Sequence, residues 1–392
     1  MIAASVGVGK GSDAHSAGRS ACKQALNEMP GKKADALIVF GSTKFNQTKL
    51  IEGVASAAPE TLLVGCSTSG EISSEGFATE QSVVVMALAS DKLKFSAGRG
   101  GGVSANPAGA GVECGKVLRQ GVMPASASSA LVFLDIVSGD GDAAVQGLRN
   151  ELGHNYPIWG GAAGDDLAFR RTFQYFDGKA ETGAIVGLGL SGLHRAVGVA
   201  MHGFLPVGRA WLVTKTEGRG LASLDGKRAS AIYEEYFGPE YFKELREGTL
   251  PALAVSYPLG ILLPGSDEVL LRDPTLFSDN GAITFTSAIP FGTETRLMIS
   301  DTARGLETVE KAATEVAKRL EGRKPKAIIM IDSVSRKRML GRRADEEVEI
   351  VQRILGRDVP IAGYYGYAEI DGGTVGEALF HNGSILIWAI AE

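Results

Sequence analysis

One stretch of this chain occurs twice. The segments ALVFLDIVS (130–138), a helical pattern, PIWGG (157–161), FDG (176–178) and GAIVGLGL (183–190) return in the same order as AIIMIDSVS (327–335), a helical pattern, PIAGY (360–364), FHNG (380–383) and GSILIWAI (383–390). One such block arises by chance; four in order at nearly constant spacing indicate a duplicated β-α-β-β unit. Upstream, the strand patterns 82–88 and 94–99 before a helix near 106 are matched with 282–286 and 295–300 before a helix near 304. On this alignment Asp135 and Asp332 occupy equivalent strand ends. Strand-length runs rich in β-branched residues alternate with apolar residues at three- and four-residue spacing. The expected class is therefore α/β (α+β): mixed β-sheets flanked by helices, in two related halves, residues 1–225 and 226–392. The glycine-punctuated stretch 196–224 bridges them, and a helix over 228–236 ends at Gly238, a residue suited to a C-cap.

A chain of 392 residues exceeds the size at which one core usually stops growing. Hydrophobic residues make up 44%, yet no run approaches the roughly 18 apolar residues of a membrane span, and the N-terminus lacks a signal-peptide profile. Neither membrane insertion nor secretion is expected. The three cysteines, Cys22, Cys66 and Cys114, form no CxxC pair, which fits a cytoplasmic protein without a disulfide framework. The net charge is −5 and no basic stripe is interleaved with aromatics, so a nucleic-acid partner is not expected. The basic run Arg336, Lys337, Arg338, Arg342 and Arg343, followed at once by acidic residues, reads as the charged face of a helix start.

Four segments carry chemistry. VGCSTSGEI (64–72) follows a strand: Gly65 and Gly70 allow a tight turn, and Ser67 and Thr68 could grip a carboxylate or phosphate. Cys66 within it could serve as a nucleophile, which would need a base that the sequence does not assign. In WGGAAGDDLAFRRTFQYFDG (159–178) the glycines lack the following Gly-Lys-Ser/Thr of a phosphate loop, and Asp165 and Asp166 read either as a functional pair or as a turn. DSVSRKRML (332–340) sets Arg336 at a strand C-terminus, where it could fork onto a carboxylate, and AGYYGYAEI (362–370) adds Tyr365 and Glu369. None of the five histidines forms a HxxxH or HExxH pattern. A single histidine suffices as a haem axial ligand; His202 and then His381 are the candidates, because apolar residues flank them.

Taken together, GCSTSGEI, GGAAGDD with its following F-x-DG, HGFLPVG, LDGKRASAIYEEYFG, YPLGI, D-S-V-S-R and GYYGYAEI resemble the FIST family of bacterial sensory proteins, with an N-terminal and a C-terminal FIST domain over nearly the whole chain. The resemblance implies a small-molecule sensor rather than an enzyme. It implies Gly65, Cys66, Ser67, Thr68, Asp165, Arg336, Tyr365 and Glu369 as ligand-binding residues. It also implies a separate signalling partner, a histidine kinase or a diguanylate cyclase or phosphodiesterase. Stand-alone proteins of this form resemble the family's nitric-oxide sensors, which implies haem b on His202 or His381. Two alternatives stay open: a haem-free sensor of amino acids or similar carboxylates, and a cysteine-dependent hydrolase or transferase using Cys66.

Overall fold

The computed structural model describes the chain except residues 30, 32, 79–80, 123–126, 248–253, 263–268 and 373–378. The first unit runs β1 (Ile2–Lys10), α1 (Ala14–Glu28), β2 (Ala36–Ser42), α2 (Gln47–Ala57), β3 (Leu62–Thr68), β4 (Glu71–Ser73), β5 (Gly76–Ala78) and β6 (Ser82–Ser90). The second repeats it as β7 (Leu93–Gly101), α3 (Pro107–Gln120), β8 (Ser128–Leu134), α4 (Gly141–Leu152), β9 (Ile158–Ala162), β10 (Gln174–Phe176), β11 (Lys179–Glu181) and β12 (Ala184–Gly192). After β13 (Arg195–Met201) an inserted region intervenes. It comprises β14 (Leu205–Glu217), β15 (Gly220–Leu224), β16 (Lys227–Arg228), α5 (Ala231–Glu247), β17 (Leu259–Leu262), β18 (Val269–Arg272), β19 (Pro274–Phe277), β20 (Ile283–Phe285) and β21 (Glu294–Ile299). The third unit then completes itself with α6 (Thr302–Arg319), β22 (Ala327–Ser333), α7 (Val334–Leu340), α8 (Asp345–Leu355), β23 (Ile361–Gly366), β24 (Ala368–Asp371), β25 (Leu379–His381) and β26 (Ile385–Ala391).

The repeat seen in the sequence thus extends to a third copy, residues 2–90. Each unit builds the same mixed sheet and closes it with a hairpin borrowed from a neighbour: the orders are β1-β6-β2-β3-β10-β11, β7-β12-β8-β9-β24-β25 and β13-β26-β22-β23-β4-β5. The hairpin exchange runs in a ring, so the three units enclose one core with pseudo-threefold symmetry. At the heart of that core the rings of Phe40, Phe133 and Tyr364, one from each unit, pack with centroids 5.4 Å (Phe40–Phe133) and 4.8 Å (Phe40–Tyr364) apart. Outside, α1 and α2, α3 and α4, and α6 and α8 each bury an apolar face on one sheet. Asp13, Asn46, Asn106, Asp140 and Asp301 cap α1, α2, α3, α4 and α6 by accepting a first-turn N–H.

Register fixes the equivalences. Gly65, Gly160 and Gly363 stand opposite Val39, Val132 and Met330 on the parallel neighbour. A Cβ at these glycines would lie 1.9, 1.9 and 2.0 Å from the carbonyl oxygens of those residues, so each sheet needs glycine there for the strands to approach. Carried three residues on, the same register equates Ser42, Asp135 and Ser333. The expected match of Asp135 with Asp332 is corrected by one residue, which in a strand is the difference between opposite faces. Two further matches are also corrected. The strand before α6 that corresponds to β7 is β13, not β21, because β14–β21 are an insertion; and FDG turns between β10 and β11, whereas FHNG lies between β25 and β26. Strand pairing also crosses the expected 225/226 boundary, since β13 pairs with β26 and β14 with β21. Gly238, at φ 77°, interrupts α5 ahead of Pro239, so the helical path kinks there and resumes.

Candidate functional site

The C-terminal ends of the parallel strands β3, β9 and β23 converge, and it is at such ends that α/β sheets bind ligands. The four motif segments meet there. Gly164 donates its N–H to the Ser67 carbonyl (2.9 Å), Ser69 donates to the Tyr365 carbonyl (2.8 Å), and Tyr365 donates to the Gly70 carbonyl (2.8 Å). The Ser67 hydroxyl donates to the Gly164 carbonyl and accepts from the Phe173 N–H, both at 2.9 Å. The Asp166 N–H donates to the Ser69 hydroxyl at 3.0 Å, and the Lys337 ammonium donates to the Ser69 carbonyl while lying 5.8 Å from the Tyr365 ring centre.

The loop after β9 is held in an unfavourable backbone. Asp166, Leu167 and Phe169 have φ of 55°, 64° and 46°, a region that costs non-glycine residues of order 1–3 kcal/mol each and persists only where surroundings over-determine it. Asp165 supplies that determination: its carboxylate accepts the N–H groups of Phe169 (2.9 Å), Arg170 and Arg171 (2.8 Å each) and the Tyr367 hydroxyl. Phe169 stacks on Tyr367 at 4.3 Å. Asp165 therefore positions the loop with its carboxylate fully engaged, and Asp166 is the member of the pair placed at the mouth.

Three equivalent positions beneath the mouth carry buried polar heads: Glu71, Gln174 and Glu369 stand opposite Tyr364, Cys66 and Gly161 in their borrowed hairpins. Glu71 accepts the hydroxyls of Thr68 and Ser82; burial raises its pKa to about 7, with those hydroxyls and then Lys337 opposing the rise. Gln174 accepts the Ala184 N–H at 3.3 Å and Glu369 the Ser384 N–H at 3.1 Å. Burial pushes the Glu369 carboxyl well above the usual carboxylate range.

Arg336 is fully buried and already forked. Its Nε donates to Asp332 (2.7 Å) and its Nη2 to Glu347 (2.6 Å) and to the Gly305 carbonyl (3.2 Å), while the Tyr365 hydroxyl donates to Glu347 at 2.8 Å. The guanidinium that the sequence offers to a ligand carboxylate is given to two carboxylates of the chain itself, tying β22, β23, α6, α7 and α8 together. The basic run is likewise corrected as a solvated face: Arg336 lies in the interior and Lys337 is half-buried at the mouth, while Arg338, Arg342 and Arg343 are exposed. Cys66 sits in the central core, where burial pushes its thiol far above the ordinary range, the opposite of an activated nucleophile. Gly65 contributes close strand approach, and the Thr68 hydroxyl serves Glu71.

His202 and His381 lie elsewhere, in a groove of about 420 Å³ between α6 and the start of the inserted sheet. Both nitrogens of His202 are engaged: Nδ1 accepts the Phe204 N–H at 3.2 Å, and Nε2, 3.0 Å from the Val269 carbonyl, must donate to it. His381 has a ring free of hydrogen bonds among the described residues, but its groove is walled on one side by Arg304, Glu307 and Lys311. A haem needs a free imidazole nitrogen facing an apolar slot: His202 has no free nitrogen, and the groove beside His381 carries charged side chains along one wall. Among the described residues no group of three or more His, Cys, Asp and Glu could hold a metal ion, and no helix is long and apolar enough to cross a membrane.

Fold and site together define a scaffold of three sheets around a filled core, with one polar mouth assembled from loops of all three units. The chain belongs to the FIST family, its residues 35–227 matching the FIST N domain and 229–371 the FIST C domain. An uncharacterized protein of Mycobacterium tuberculosis is 25% identical over 215 residues, covering 53% of this chain and 52% of its own. One of Methanocaldococcus jannaschii is 28% identical over 230 residues, covering 53% and 42%. The chain spans about half the length of the curated relatives it matches. Among solved structures, a cyanuric acid hydrolase from A. caulinodans aligns over 100% of this chain and 99% of its own at 12% identity and a TM-score of 0.39. Phosphoribosylformylglycinamidine synthase II from Thermotoga maritima aligns over 100% and 72% at 10% identity and 0.25. At such TM-scores neither alignment bears on activity.

The sequence singled out the segments that meet at the mouth and raised Asp166 only as one of a pair that reads either as functional or as a turn; it missed Glu71 and Lys337 as charged members. The signal for Lys337 was present: it follows Arg336 on a helix that opens at the end of a parallel strand.

Proposed function

We propose that the chain is a sensor that binds a small zwitterionic ligand, an amino acid or a close relative, at the mouth formed by residues 67–71, 164–167 and 337, and passes the binding state to a separate signalling partner. The observation that carries this reading is the placement of a half-buried ammonium, Lys337, above an aromatic ring and within electrostatic reach of Asp166 and Glu71. Burial lowers the pKa of that ammonium, with Asp166 and Glu71 opposing the shift. A ligand carboxylate pairs with Lys337 and a ligand amino group with Asp166, each a charge-assisted hydrogen bond. FIST domains are small-ligand sensors, which agrees with a binding role in preference to catalysis. The partner classes that suit such a role are a histidine kinase or a cyclic-dinucleotide enzyme. Haem is not part of this reading, and neither is a reactive Cys66.

Titration calorimetry against the twenty amino acids tests it. At least one should bind, and Lys337→Met and Asp166→Asn should each weaken it by about tenfold or more, the scale of losing a hydrogen bond to a charged group. Unchanged affinity in both variants, or a Soret band from purified or haem-reconstituted protein that is lost in His381→Ala, would overturn it.

A further inference from the structure

The groove that holds His202 and His381 has no role in the reading above, yet it is built as a site. It lies where the inserted sheet joins the third unit, and junctions between structural units are favoured places for ligands. His381 forms its floor: the residue is 5% exposed, borders the groove, and makes no hydrogen bond among the described residues. A ring nitrogen that borders a groove and makes no hydrogen bond among the described residues is available to a ligand there. Burial pulls its pKa down to about 3, so it meets that partner as a neutral imidazole with one N–H and one lone pair. His202 is locked by its two backbone bonds and serves as a fixed wall.

The other walls state the chemistry. Met201 and Phe204 offer apolar surface beside the ring. Along one stripe of α6, Arg304, Glu307 and Lys311 face the rim with a net charge of plus one. Arg304 pairs with Asp301 at 3.4 Å and Lys311 with Glu307 at 2.7 Å, in each case between exposed side chains. Pairs of that kind are weak and yield readily to a competing anion.

We propose that this groove is a second ligand site, taking a small carboxylate with an apolar body: the body lies against Met201 and Phe204, the carboxylate reaches Arg304 and Lys311, and a polar atom of the ligand bonds His381. Because its walls come from both the inserted sheet and the third unit, occupancy ties the two together independently of the mouth.

The test uses the full chain with phenylacetate and 2-phenylethanol as probes. On adding phenylacetate, the imidazole nitrogen signals of His381 should shift in a histidine-labelled sample while those of His15 stay in place, a readout that needs no variant. Calorimetry should give about tenfold weaker binding for 2-phenylethanol and for Arg304→Ala, and loss of binding for His381→Phe, with Lys337→Met unaffected. That last arm separates this site from the mouth, since failure at the mouth leaves it intact. Unmoved His381 signals at saturating phenylacetate, or equal binding of the acid and the alcohol, overturn the proposal.

Discussion

Replacing Arg336 with methionine distinguishes a structural guanidinium from a ligand clamp. Methionine keeps the length and apolar stem but leaves Asp332 and Glu347, both fully buried, without their shared cation. Removing one partner from a buried ion pair costs about 3–5 kcal/mol because the remaining charge stays desolvated. In urea, with a slope of roughly 3 kcal/mol per molar, the unfolding midpoint should fall by about 1 M or more. The triple variant Asp332→Asn, Arg336→Met, Glu347→Gln removes every charge of the network and should recover most of that loss, because the penalty arises from uncompensated charge. Circular dichroism through a urea series measures both. An Arg336→Met protein within about 1 kcal/mol of wild type, or a triple variant no better than the single one, would refute the reasoning; retained stability with lost ligand affinity would return Arg336 to the binding site.

Three further outcomes are expected. Glu71, with a pKa of about 7 against an ordinary 4.5, keeps in the folded state a proton that the unfolded chain has released; stability attributable to it is full below about pH 4.5, falls as pH rises to 7, and is flat above. The span is about 3 kcal/mol, and Glu71→Gln should remove that slope in denaturation curves taken between those pH values; a parallel pH profile in the variant would count against a protonated Glu71. Gly65→Ala and Gly160→Ala should each destabilise by about 1–3 kcal/mol or more, and by similar amounts, because each Cβ would meet a carbonyl oxygen at 1.9 Å; a neutral result at either position breaks the equivalence of the units. All three thiols are buried and raised by desolvation, so a thiol reagent at neutral pH should report them only on unfolding, and rapid native-state labelling of Cys66 would reopen the nucleophile reading.

The α/β class and the repeat were legible locally. Alternating apolar runs and helical spacing specify strands and helices whatever they pack on, and blocks such as ALVFLDIVS and AIIMIDSVS preserve that pattern. The third copy was hidden because LLVGC, its counterpart of PIWGG and PIAGY, shares only the glycine that strand approach demands, while the other positions need merely be apolar or small. The insertion hid the true partner of β7, since β21 has the right length and precedes a helix but hydrogen-bonds elsewhere. Periodicity cannot tell which strand a strand will pair with.

The mouth divides along the same line. The sequence marked Ser67, Thr68, Asp165, Arg336, Tyr365 and Glu369 by residue type and by position after strands, and the structure brings their segments together. What each does depends on neighbours distant in the chain: Arg336 meets Glu347, Asp165 meets Tyr367, and Tyr365 closes on Ser69 and Gly70. A buried charge must be matched by whichever groups the fold delivers, so whether a guanidinium is free for a ligand is decided only when the sheets close. The sequence alone determined the elements, the glycine turns and which segments carry polar chemistry; the tertiary structure decided the threefold ring of exchanged hairpins, the burial that silences Cys66 and Arg336, and the placement of Lys337 and Asp166 at the mouth, because desolvation and pairing belong to three-dimensional surroundings rather than to a residue.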